Sequence, residues 1–161
     1  MKEKDFKYKE YILPLAGLKD GDHQYDFHIG ESFFKNMGWD QLDGENIDID
    51  LNLSKHNKLM VLDFDFHGSV FCPCDRCLDP YEISLKFKDR LIIKFSPEIS
   101  EPEIYEDDEN VVMYVNEDTS EIDLSHFIYE SIILQIPIKR AHEIDQCNSE
   151  IIKILKNYQV E

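Results

Sequence analysis

Positive charge is scarce in this sequence. Lys and Arg number 17 against 34 Asp and Glu, a formal net charge of −17 over 161 residues. A generic nucleic-acid clamp needs cationic surface to displace counterions from phosphates, so that class is excluded, non-specific DNA binding with it. The same deficit points away from an anionic membrane surface. Long apolar runs are missing too. None reaches the length of a transmembrane span, and the opening MKEKDFKYKE has no apolar core of a secretory signal. There is no nucleophile elbow, phosphate-binding loop, dinucleotide fingerprint or internal repeat. The chain is nevertheless rich enough to fold: 42% of residues are apolar and 12% aromatic, which can fill a core. The expectation is one acidic, soluble, cytoplasmic domain spanning residues 1–161.

The strongest pattern is alternation. Ile47, Ile49, Leu51 and Leu53 interleave with Asp48, Asp50, Asn52 and Ser54, the period of a half-buried strand. Met60, Leu62, Phe64, Phe66, Val70 and Cys72 keep one parity; Tyr81, Ile83, Leu85, Phe87, Leu91, Ile93 and Phe95 keep another. Three long strands in an antiparallel meander follow, one face buried and one wet. Setting Cys72 opposite Tyr81 puts Phe66 against Phe87, Leu62 against Leu91 and Met60 against Ile93. It also sets Asp65 against Lys88 and Asp63 against Arg90 on the wet face. Parity resists a one-residue slip but leaves a two-residue slip open.

Shorter elements flank the meander. Tyr11–Leu15 and His23–Ile29 read as strands, Glu31–Met37 as a helical turn or two, and Gly38 and Gly44 bracket a loop. Ser96–Asn110 reads as an acidic loop and Val111–Val115 as a short strand. Asp123 can cap a helix from Leu124 to about Gln135, with Leu124, Phe127, Ile128, Ser131 and Leu134 or Gln135 inward, stopped by Pro137. Asn148 or Ser149 can cap a last helix to about Asn157. The fold class is α+β: an antiparallel β-meander with a long hairpin, packed by two or three short helices.

Cysteine is also rare: Cys72, Cys74, Cys77 and Cys147. Without secretion they do not imply disulfides. Cys74-Asp75-Arg76-Cys77 is a C-x-x-C at the tip of the long hairpin, a spacing at which two thiolates can bite one tetrahedral ion. His142 and Cys147 offer two further ligands. The sharp expectation is one structural zinc held by Cys74, Cys77, His142 and Cys147, with Cys72 as a competing ligand. The parity of Cys72 places it instead on the buried face, where a thiol acts as a small hydrophobe. The plain alternative is four free thiols and one surface histidine. His23, His28, His56, His67 and His126 form no metal-ligand pattern, and no catalytic pair emerges.

Charge is polarised along the chain. No Lys or Arg lies between Phe95 and Ile138, while twelve carboxylates do. The preceding strand carries Lys86, Lys88, Arg90 and Lys94. This suggests an acidic surface for a basic protein and a small cationic stripe able to touch phosphate. Asp63 and Asp65 lie opposite the stripe, so cross-strand pairing can consume it.

Taken together, these motifs resemble a known family. Cys74-Asp75-Arg76-Cys77-Leu78 is similar to the C-x-R-C-L signature of the large ribosomal RNA subunit accumulation (YceD-like) family. Glu121-Ile122-Asp123-Leu124, the segment Ile132–Ile138 around Pro137, and the trailing His142 and Cys147 follow in the family's order. The likeness covers about residues 46–148. It implies a bacterial cytoplasmic ribosome-biogenesis factor needed for synthesis, processing or accumulation of 23S ribosomal RNA, with no catalytic residues. The expected partners are a basic ribosomal protein or assembly factor, with any ribosomal RNA contact local, through Arg76 or the stripe Lys86, Lys88, Arg90 and Lys94. The competing expectations are a metal-dependent RNA-processing enzyme and a protein adaptor without an RNA role, pairing through an open sheet edge.

Overall fold

The computed structural model describes residues 11–39 and 41–158; the opening decapeptide read above lies outside them. The elements run β1 (Ile12–Pro14), β2 (Gly21–Ile29), α1 (Phe33–Asn36), β3 (Asp43–His56), β4 (Leu59–Pro73) and β5 (Pro80–Ser96). They continue with β6 (Glu103–Glu106), β7 (Val111–Asn116), β8 (Glu121–Asp123), α2 (Ser125–Ile133), a 3₁₀ turn (Ile144–Gln146) and α3 (Ser149–Tyr158). Six strands form one sheet in the order β2-β3-β4-β5-β7-β6, and β1 pairs with β8 in a second, two-stranded sheet. The architecture is α+β.

The three long strands are β3, β4 and β5, in an antiparallel meander. Cys72 lies opposite Tyr81, Phe66 opposite Phe87, Leu62 opposite Leu91 and Asp63 opposite Arg90. The two-residue slip that parity left open is excluded by the hairpin, whose last pair is Pro73 with Pro80. Ile47, Ile49, Leu51, Leu53, Met60, Leu62, Phe66, Val70, Leu91 and Ile93 are all essentially inaccessible. Each is worth about 1.5–3 kcal/mol relative to exposure, so this face fixes the register. Phe66 stacks on Phe87 with ring centroids 4.4 Å apart.

A second layer covers that face. Phe33 and Phe34 of α1, Leu13 of β1, Ile122 of β8 and Ile128 and Ile132 of α2 join the same core. Phe127 lies 5.0 Å from Phe64 and Tyr129 5.8 Å from Phe34, centroid to centroid. Asp123 Oδ1 accepts the Ser125 N–H at 2.8 Å at the start of α2.

Gly68 marks a close approach of backbones. A Cβ there would fall 2.1 Å from the Asn46 carbonyl oxygen. The register of β3 shifts between Asp43 and Asn46, a bulge facing this glycine's neighbourhood.

Two expectations are corrected, for the acidic loop and for the end of helix α2, and two features are added to the antiparallel meander. The acidic loop Ser96–Asn110 contains β6, which pairs with β7 although all four of its residues are exposed. The sheet is not purely antiparallel, because β7 pairs parallel to β5. β8 was not foreseen; its three residues are paired by β1. Helix α2 ends at Ile133, so Leu134 is 81% exposed and Ile132 takes the inward place. No helix among the described residues is long and apolar enough to cross a membrane.

Candidate metal centre

The β4–β5 hairpin turns through Cys74–Asp79, and its backbone is shaped before any side chain is considered. The Cys74 N–H donates to Asp79 O at 2.8 Å, and the Leu78 N–H donates back to Cys74 O at 2.9 Å. Leu78 sits at φ 66°, the left-handed conformation that reverses the chain after the second cysteine. The turn leaves Cys74 and Cys77 buried and facing one side.

The segment after α2 is brought to this tip by two reciprocal contacts. The Asp75 N–H donates to Arg140 O, and the Arg140 N–H donates to Asp75 Oδ2, each at 2.7 Å. Two residues on, His142 reaches the tip, and the 3₁₀ turn then delivers Cys147. Asn148 Nδ2 donates to Asp79 Oδ2 at 3.3 Å and fastens the start of α3.

The outcome is that one donor atom from each of Cys74, Cys77, His142 and Cys147 lies within 4.8 Å of all the others. Cys74 Sγ is 3.8 Å from Cys147 Sγ, and Cys77 Sγ is 3.5 Å from His142 Nδ1. Zinc–sulfur bonds of about 2.3 Å and a zinc–nitrogen bond of about 2.0 Å set tetrahedral edges of roughly 3.8 and 3.5 Å. The donor set and its spacing therefore fit one tetrahedral, thiophilic ion such as zinc.

The surrounding groups suit the same role. His142 Nε2 donates to Pro80 O at 3.0 Å, which leaves Nδ1 as the ligand atom of a neutral ring. Arg76 is turned inward: its N–H donates to Cys74 Sγ at 3.4 Å, and its Nη1 donates to His142 O at 3.1 Å and to Cys147 Sγ at 3.6 Å. Tyr81 packs edge-on to His142 at 5.3 Å, and Ala141, Ile151 and Ile152 close the apolar shell.

The thiols are tuned unequally. Burial opposes ionisation of Cys74, but the N–H groups of Cys77 and Arg76 directed at its sulfur prevail and hold it at about 6. The Asn148 N–H lowers Cys77 as well. Burial pushes Cys147 up, against the pull of Arg76. His142 is raised, chiefly through its hydrogen bond with Cys74. Cys72 lies outside the four-residue group; it belongs to the main core, and burial raises its thiol.

The stripe residues lie on the exposed face of β5. Arg90 Nε donates to Asp63 Oδ1 at 2.6 Å, so its charge is shared with the strand opposite. Lys94 sits over the Tyr114 ring, 5.9 Å from its centroid. Lys86 and Lys88 are exposed and have no ion pair among the described residues. Sequence reasoning missed the inward role of Arg76 and the Asp75–Arg140 clasp, since neither follows from spacing. It also missed Glu45, which is 4% exposed. Ser32 N–H donates to its Oε2 at 3.2 Å while Oε1 has no partner, and burial raises its carboxyl.

Fold and site together define a small antiparallel-sheet protein whose hairpin tip and C-terminal segment meet in a Cys₃His metal-type cluster. A family model described as large ribosomal RNA subunit accumulation protein YceD matches residues 62–153, and the chain belongs to that family. The matched segment contains the whole cluster. Comparison with curated proteins and with solved structures gives no match.

Proposed function

We propose that this protein serves accumulation of large-subunit ribosomal RNA in the cytoplasm as a non-enzymatic binding factor, folded around a structural zinc. The observation that carries the reading is the family match over residues 62–153; the family name supplies the link to large-subunit ribosomal RNA. Four protein donors fill a tetrahedron, and a catalytic zinc needs an open position. The cluster is thus read as a staple, and a metal-dependent RNA-processing enzyme is the less economical reading.

The acidic stretch supplies the binding surface. Every residue from Glu101 to Glu109 is exposed. Asp107 is held below the usual carboxylate range by the N–H groups of Glu109 and Asn110. A basic ribosomal protein or assembly factor is the complementary partner. RNA contact, where it occurs, is local to the free lysines Lys86 and Lys88.

Gradient sedimentation of lysate tests the reading. Co-migration with precursors of the large subunit, and disturbed precursor ribosomal RNA on depletion, are expected. Absence from those particles together with normal precursor RNA would overturn it. Affinity purification of native protein beside the Cys74→Ser/Cys77→Ser variant, with RNA and protein identification, separates partner binding from the staple.

A further inference from the structure

We propose that the open half of β5 is a β-addition site for an extended acidic segment of a partner protein. The Phe95 N–H donates to Lys58 O at 2.9 Å, and the β4–β5 register runs without a shift from Lys94 to Pro80. Hydrogen-bonded pairs alternate along an antiparallel ladder, so the odd-numbered residues of β5 bond to β4 and the even-numbered ones point their backbone groups away from it.

On that outer side β7 pairs only with Leu91–Ser96. The next outward N–H, that of Arg90, is taken by Asp89 Oδ1 at 2.8 Å, and Asp89 Oδ2 accepts the Ser131 hydroxyl at 2.7 Å. Asp89 therefore ends the paired region. Beyond it the outward N–H and C=O groups of Glu82, Ser84, Lys86 and Lys88 have no partner among the described residues, and all four side chains are exposed. Four consecutive outward positions form a ready template for one more strand, in line with β7.

Charge selects the occupant. Lys86 and Lys88 project from the wet face at this edge without an ion pair among the described residues. An incoming strand with Asp or Glu at alternate positions meets those lysines, while its intervening apolar side chains meet Leu85 and half-buried Phe87 on the other face. RNA can use the lysines but cannot satisfy the edge as a strand does. This surface uses none of the cluster residues, and Glu109 and Asn110 of the acidic loop flank its Lys88 end, so it stands whether or not the cluster carries the function above.

The test uses the full chain and an acetylated Glu-Val-Glu-Val-Glu-Val peptide, followed by amide NMR and hydrogen exchange. Slowed exchange at Ser84, Lys86 and Lys88 is expected, with binding weakened about tenfold by Ser84→Pro or by Lys86→Glu/Lys88→Glu. Proline at an outward position of an edge strand leaves the β4–β5 ladder intact, and an unchanged melting temperature checks that. Equal binding of the same peptide N-methylated at alternate amides would reduce the site to plain electrostatics and overturn the proposal. It is equally overturned if millimolar peptide causes no change, if a hexauridine RNA protects these amides and the peptide does not, or if sedimentation shows self-association lost on Ser84→Pro.

Discussion

Stripping the metal should release the C-terminal segment while leaving the six-stranded sheet in place. Residues 141–158 make few contacts of their own: only Cys147 is buried, α3 has no buried residue, and Ile151 and Ile152 are half-buried. Ordering roughly 18 residues costs on the order of 18 kcal/mol at about 1 kcal/mol each. Two half-buried isoleucines return about 2 kcal/mol, and the handful of hydrogen bonds at the tip about 3 kcal/mol more. A ten-residue helix adds little by itself. The deficit of roughly 13 kcal/mol matches the 10–16 kcal/mol that a structural zinc supplies in zinc-finger peptides. Elemental analysis of protein purified without chelator should give one metal per chain. After chelation, hydrogen exchange should show amides 144–158 exchanging as in an unfolded chain, with β3 and β4 still protected. Protein that carries no metal and still protects α3 would refute both the staple and the accounting behind it.

Protons should compete more strongly with the metal as pH drops below about 6. In the metal-free protein Cys74 is lowered to about 6 from 9.0, so its ionisation contributes stability that is complete above 9.0 and lost as pH falls through about 6; metal affinity measured across pH 5–8 checks the competition. Gly68→Ala should destabilise by about 3 kcal/mol or more, because its Cβ meets the Asn46 carbonyl rather than a movable side chain; chemical denaturation measures this. Phe66→Ala should cost about 3–5 kcal/mol through the cavity beside Phe87, read by the same assay. Glu45 has the opposite pH sign: its raised carboxyl makes stability fall as pH climbs from 4.5 through its folded value. Glu45→Gln should remove that slope and raise the melting temperature at neutral pH, and an unchanged profile would count against a strained buried carboxylate.

The meander was readable because burial on one face writes a two-residue period into β3, β4 and β5, and because Pro73 and Pro80 bound the turn that sets the pairing. Where burial is absent the signal goes with it. β6, Glu103–Glu106, is exposed throughout and shows no alternation. β1 and β8 are three residues each, too short for any period, and owe their form to each other. Alternation also says nothing about which strand lies beside which, so the parallel β5–β7 pairing was invisible. In the cluster, C-x-x-C and the later His142 and Cys147 named the side chains that come within 4.8 Å. Their support was not legible: the Pro80 carbonyl, the Asp75–Arg140 clasp and the inward Arg76 arise from a tertiary approach across 60 or more positions of chain.

That approach has a topological consequence. Cys74 and Cys147 stand 73 positions apart, so a metal between them turns the intervening chain into a closed ring. Closing a ring of that size restricts the unfolded chain by an amount on the order of 4 kcal/mol, by analogy with a disulfide. The acidic loop lies on this ring. A protease that cuts it between Pro97 and Asn110 would leave two fragments still fastened through the cluster, the β5–β7 ladder and the β1–β8 pair, and withdrawing the metal would remove one of those fastenings and lower the fragments' affinity for each other.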